Sequence, residues 1–230
     1  MWNRQQVKEQ AKQIMKRNYW KMFVVTLIAS ILTGEKTTII ERVQDFTSNN
    51  LSYDSQPIVY SSNFQLIFYS FISVASILGI LYTIFIGNVI VVGKNGYFIK
   101  NHDENPELGE IFRGFKGNYL NVVKIMFLMD LKTFLWICLF IVPGVIKAYE
   151  YSMIPYLLAE NPNLSASEAF SLSKQMTTGQ KMDLFVLDLS FLGWIILGLI
   201  CCGIGILFVL PYPEATRAEV YLNLKESVKI

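Results

Sequence analysis

Residues 135–181 read LWICLFIVPGVIKAYEYSMIPYLLAENPNLSASEAFSLSKQMTTGQK. An apolar helix runs into Pro143-Gly144, where a missing backbone donor and a residue free to take positive φ predict a break. The chain restarts with Lys147 and Glu150, meets a second break at Pro155, and reaches the polar turn Glu160-Asn161-Pro162-Asn163. Ser165-Ala166-Ser167-Glu168 then reads as a capping box, serine and glutamate each satisfying the other's free amide. Ala166, Ala169, Phe170, Ser173 and Met176 share one face of the helix that follows.

The runs flanking this stretch are too long and apolar for a water-soluble core. Of 230 residues, 53% are hydrophobic and only 17% charged, with a mean hydropathy of +0.38. Soluble domains carry about 25% charged residues, so this chain cannot cover itself with polar surface. The net charge is +2, and no basic patch interleaved with aromatics marks nucleic-acid binding. Cys138, Cys201 and Cys202 all lie in apolar runs, which speaks against a disulfide framework. A single histidine, His102, speaks against a catalytic triad or a histidine-built zinc site. No metal or cofactor is expected.

Taken in order, residues 1–18 form a basic amphipathic helix with Arg4, Lys8, Lys12, Lys16 and Arg17. It reads as an interfacial helix on an anionic leaflet or as a plain basic extension on the inner side. Trp20 and a snorkelling Lys21 anchor the short segment 19–33. A cleaved leader is the competing reading of that segment, disfavoured by its long basic lead and the lack of a small-x-small site. In 35–63, Glu35, Glu41, Asp45 and Asp54 outnumber Lys36 and Arg42, the pattern of an external loop. Phe64 to Val92 contains no charged residue, and Ala75 and Gly79 are spaced for close helix contact.

Lys94, Lys100, Arg113 and Lys116 place 94–117 on the cytoplasmic side, with Lys94-Asn95-Gly96 read as a turn. Two segments, 118–142 and 145–159, form a hairpin broken at Pro143-Gly144. The return arm gives only about 22 Å of helix. Residues 160–181 are cytoplasmic, 182–200 and 204–222 cross again, and 214–230 ends the chain as an amphipathic helix. The expected fold is all-α: one polytopic transmembrane bundle of about six segments with both termini cytoplasmic.

Ionisable groups at membrane depth are costly and often functional. Asp188 is the leading candidate, with a structural pairing to a neighbouring helix as the competing reading. Lys147 and Glu150, at i and i+3, are placed to pair on one helix face. Asp130 and Lys132 point different ways. Tyr149, Tyr151 and Tyr156 read as an aromatic belt at the interface.

The chain resembles a bacterial integral membrane family, the domain of unknown function nine-hundred-seventy-five, found mostly in Gram-positive Firmicutes. The resemblance rests on the block from Val7-Lys8 to Tyr19-Trp20, Leu135-Trp136 and the run Ile141 to Lys147. It continues through Tyr149, Tyr151-Ser152-Met153, Pro155-Tyr156, Ala159 to Pro162, Ala169, Ser173, Met176, Gly179 and Lys181. Leu187 to Trp194 and Pro211-Tyr212 complete it. Glu160 stands where the family often has aspartate, and Cys201-Cys202 where it has small or apolar residues. The resemblance implies a multi-pass membrane protein of a Gram-positive cell, of unassigned activity, and supplies no catalytic residues.

These readings favour a non-enzymatic accessory, immunity or envelope-modulating protein. Its partners would be the lipid bilayer and either another membrane protein or a second copy of itself. A small transporter using the broken helix 135–159 and Asp188 is the alternative. A lipid-active enzyme ranks third, lacking a nucleophile elbow or clustered carboxylates.

Overall fold

The computed structural model describes residues 4–33, 62–200 and 204–228. Among them every regular element is helical and no strand occurs. Most of the expected external loop, as well as Cys201 and Cys202, lies outside the described residues.

Helix α1 (Arg4–Thr33) joins the two segments expected to be separate at 18/19. Asn18 marks the junction, with φ −133° and ψ 25°. The kink is held from outside: Asn18 donates its amide to Asn101 Oδ1 at 2.8 Å, and Arg17 donates to the Asn101 carbonyl at 2.8 Å. Val7 and Ala11 are buried. The apolar stripe of the basic helix therefore packs on protein, chiefly on the last helix, and not on a leaflet.

A long rod follows, made of α2 (Ser62–Tyr82), a π-turn (Thr83–Gly87) and α3 (Asn88–Lys100). Within it, Tyr69–Lys100 has a hydropathy of 2.2 and is the one helix among the described residues long and apolar enough to cross a membrane, against six segments expected. Every residue from Tyr69 to Thr83 is exposed, whereas Gly87 to Ile90 and Val92 to Phe98 are buried. A π-turn rotates the helix face by adding a residue to one turn, and here it divides the exposed half from the buried one. Ala75 and Gly79 fall in the exposed half, where a Cβ on Gly79 would meet nothing within 4 Å.

Lys94-Asn95-Gly96 lies inside α3 and is not a turn. By residue order the lysine begins a solvated segment. The helix continues because Glu214 meets Lys94 at 2.7 Å, and a paired charge can remain buried where a lone one could not. A 3₁₀ helix, Leu108–Phe115, then crosses α3 at very short range. A Cβ on Gly93 would sit 1.8 Å from the Ile111 carbonyl oxygen, and one on Gly114 would sit 2.8 Å from that of Val89.

The hairpin expected at Pro143-Gly144 reverses three residues earlier. Helix α4 (Tyr119–Leu139) ends at Phe140, whose extended backbone (φ −154°, ψ 132°) starts α5 (Ile141–Tyr151). Pro143 is the third residue of α5, within the first turn, where backbone N–H groups have no intrahelical acceptor and a proline costs little. Gly144 serves the contact between the arms: a Cβ there would lie 2.6 Å from Ile137 Cγ1 and 2.7 Å from its Cα. We expect Gly144→Ala to force the arms apart and cost about 1–3 kcal/mol, read as a lowered thermal midpoint of the detergent-purified chain. An unchanged midpoint would mean the arms do not meet this closely.

The expected segment 145–159 is also divided, α5 ending at Tyr151 and α6 (Ile154–Glu160) starting beside Pro155. Helix α7 (Ala166–Thr177) opens with the full capping box, Glu168 N–H donating to Ser165 Oγ and Ser165 N–H to Glu168 Oε2. Gly179, at φ +78°, turns the chain into α8 (Lys181–Ile200). The expected segment 204–222 breaks in two: α9 (Ile204–Val209) and α10 (Pro211–Val228). Helix α10 is no surface tail, since Ala215, Ala218, Val220, Tyr221 and Leu224 are buried. It packs on α1, and its apolar residues join those of α1, α3, α6 and α8 in the larger core. A second core gathers α3, α4 and α6 around Val89, Val122, Ile125 and Ile154.

Candidate functional site

Among the described residues three charged side chains, Lys94, Glu150 and Glu219, are buried. Glu150 is 5% exposed. Lys147 Nζ binds its Oε1 at 2.7 Å, and Lys181 Nζ binds its Oε2 from α8. The Glu150 carbonyl accepts from Ser173 Oγ at 2.7 Å, so one residue ties α5, α7 and α8 together. Asp188 is held likewise: its Oδ2 accepts from Arg217 Nη2 at 2.7 Å and from the Tyr149 hydroxyl at 2.9 Å. The i, i+3 pair expected for Lys147 and Glu150 is present, and Asp188 takes the cross-helix pairing that competed with a functional role.

Other pairs close the ends of the bundle. Glu160 Oε2 accepts from the Tyr221 hydroxyl at 2.7 Å and from Lys225 at 2.6 Å. His102 Nδ1 lies 2.9 Å from Glu219 Oε1, a carboxylate 2% exposed. Two carboxylates outside the apolar helices are shifted. Burial pushes Glu110 up, but hydrogen bonding and charge from Lys100, with the charge of Arg113, outweigh it and hold the group below its ordinary value. The Ser165 hydroxyl and backbone N–H lower Glu168.

Between α3, α4, α5, α6 and α10 lies a cavity of about 480 Å³. Its lining is mixed in chemistry. Val91, Met129, Phe134, Ile137 and Ala148 supply an apolar lining, interleaved with polar groups from Lys94, Asn95, Asp130, Glu214, Arg217, Ser152 and Tyr156. Asn88 Nδ2 donates to Asp130 Oδ2 at 2.7 Å. A much smaller void beside it is lined by Tyr149, Asp188 and Arg217, so Arg217 borders both.

Of the residues singled out in the sequence, Asp130 lies on the cavity and Asp188 one residue behind it, through Arg217. Lys147 and Glu150 belong to the neighbouring triad. Tyr151 and Tyr156 are 8% and 4% exposed; Tyr151 meets Phe170 edge to face and Tyr156 stacks on Tyr221. They are core rings and not an interfacial belt, because α7 and α10 cover them. Trp20 is 68% exposed. Lys132 lies over the Phe170 ring at 3.8 Å.

Lys94, Asn95, Glu214 and Arg217 were not singled out as site residues. The one available signal was spacing: Glu214 and Arg217 at i, i+3 share a face with Tyr221. Among the described residues no group of three histidines, cysteines or carboxylates is placed to hold a metal.

Residues 139–228 match the family model described as a protein of unknown function, DUF975. The match covers about two-fifths of the chain, from the α4–α5 junction to the end of α10. No curated protein and no solved structure matches the chain. The DUF975 segment contains Glu150, Lys181, Asp188, Glu214 and Arg217, hence both carboxylate hubs. Lys94, Asn95 and Asp130 precede it, so the cavity is built half from the DUF975 segment and half from α3 and α4. The N-terminal block that contributed to the resemblance, Val7 to Trp20, lies outside the matched residues.

Proposed function

We propose that this protein is a non-enzymatic, multi-pass component of the cell membrane, with both termini cytoplasmic, that works by binding a lipid or protein partner. The supporting observation is its apolar exterior. Large apolar side chains face outward along α2 (Phe71, Ile77 and Ile80), along the α4–α5 hairpin (Phe134, Phe140 and Val142) and along α8 (Met182, Leu189 and Trp194). Inside, paired charges such as Glu150 with Lys147 and Lys181 sit beside two apolar cores. In water an apolar exterior of this extent would associate, since monomeric soluble proteins rarely expose contiguous patches beyond a few hundred Å². In hydrocarbon the same surface is at home, and inward ion pairs are how charges are kept out of lipid.

Transport is the weaker reading, because the carboxylate assigned to it, Asp188, is already engaged by Arg217 and Tyr149. The accessory reading needs no free charge at midplane. Washing membranes that contain the expressed chain with alkaline carbonate tests the proposal. The chain should stay in the pellet and leave it only with detergent. Recovery as a monomer in detergent-free buffer would end the membrane reading. Single cysteines at 48 and 163, in a background without the native three, should label from opposite sides.

A further inference from the structure

The amphipathic cavity has the form of a site for one lipid. We infer that it binds a membrane lipid whose headgroup carries both an anionic phosphate and a primary ammonium, with an acyl chain lying along Phe134 and Ile137. This inference rests on the membrane reading above.

Three features of the cavity point to such a ligand. First, Asn95 is 4% exposed and lines the cavity, yet its amide makes no hydrogen bond to any described residue. Unlike the sealed Asn101 Nδ2, this amide opens onto the cavity, where a polar ligand would supply a partner. Second, groups of both signs on the wall keep unused capacity. Asp130 engages Asn88 through Oδ2 alone, leaving Oδ1 to accept from an ammonium. Arg217 engages Asp188 through Nη2 alone, leaving Nη1 and Nε to donate to a phosphate, the planar pairing at which guanidinium excels. A purely anionic headgroup would leave the Asp130 oxygen facing a like charge, and a purely cationic one would do the same to Arg217.

Third, the apolar lining continues onto the outside of the bundle, where Phe134 and Ile137 are 61% and 44% exposed. A soluble zwitterion would leave that lining wet. A lipid covers it and keeps its chain in the bilayer. The cavity lies inward of the α4–α5 hairpin, so the hairpin arms form one side of the entrance.

The test uses the full chain in mild detergent, stripped of lipid, with retention read by native mass spectrometry. The probes are dioleoyl phosphatidylethanolamine, dioleoyl phosphatidylglycerol and soluble O-phosphoethanolamine. Phosphatidylethanolamine should be retained at least about tenfold better than either of the others, the effect of one charge-assisted hydrogen bond. Asp130→Asn should abolish the preference over phosphatidylglycerol. Asn95→Leu removes a partnerless amide and fills the cavity, so it should fold as well as the parent and lose retention. Equal retention of both lipids, unchanged in the two variants, overturns the site. Tighter binding of phosphatidylglycerol overturns the zwitterion, and binding of the soluble headgroup as tight as the lipid overturns the lipid. All these results are separate from the carbonate wash: a chain that stays in the membrane but shows no preference loses the inference and keeps the proposed function.

Discussion

Gly93→Ala should be the most damaging small substitution in the chain. A methyl group there would sit 1.8 Å from the Ile111 carbonyl oxygen, a backbone atom that cannot swing aside as a side-chain tip can. The 3₁₀ helix would have to lift off α3, and Ile111, which is fully buried, would lose its packing. Overpacking of a tight core typically costs 1–3 kcal/mol; with backbone in the way we expect at least about 3 kcal/mol, a fall in thermal midpoint on the order of 10 °C. The control is Gly79→Ala on the same rod. Its Cβ meets nothing within 4 Å, and alanine is the better helix former by about 1 kcal/mol. The midpoint should hold or rise. If both variants melt alike, the crossing of α3 and the 3₁₀ helix is looser than described.

Glu150→Leu should come next. Removing one member of a buried ion pair costs about 3–5 kcal/mol, because the remaining charge is stranded. Here two lysines are stranded, but their side chains are 26% and 27% exposed and can turn partly outward, which lowers the expectation to about 2–4 kcal/mol. Lys147→Met alone should matter much less, since Lys181 still neutralises the carboxylate. The triple replacement Lys147→Met, Glu150→Leu, Lys181→Met should recover most of the loss, as buried ion triads exchanged for apolar side chains often do. Thermal unfolding of the four proteins in one detergent checks the set. A triple variant no better than Glu150→Leu would mean that the triad itself, and not the stranding of its lysines, sustains the fold.

Interactions within one helical turn were legible from residue order. The Ser165–Glu168 capping box and the Lys147–Glu150 pair each depend on residues three apart on one helix, and both are present as expected. Breaks were legible to within a few residues. A proline announces a helix end without saying on which side of it the end falls. Pro143 and Pro155 each proved to sit in the first turn of a new helix, so the chain turned ahead of them, at Phe140 and at Ser152-Met153. Polar residues were misleading inside α3. Lys94 and Asn95 look like the start of a loop when no partner is in view, and that partner, Glu214, is more than a hundred positions away in the chain.

Residue order alone determined that this is a helical chain with one apolar run long enough to cross a membrane, because both properties follow from composition and local spacing. Tertiary structure decided which charges are neutralised and where the cavity opens. Lys181 on Glu150, Arg217 on Asp188 and Glu214 on Lys94 join helices whose mutual placement no local pattern encodes. The physical reason is range: a helical turn brings together residues three or four apart whatever surrounds it, whereas a cross-helix ion pair exists only once packing has set both helices in register.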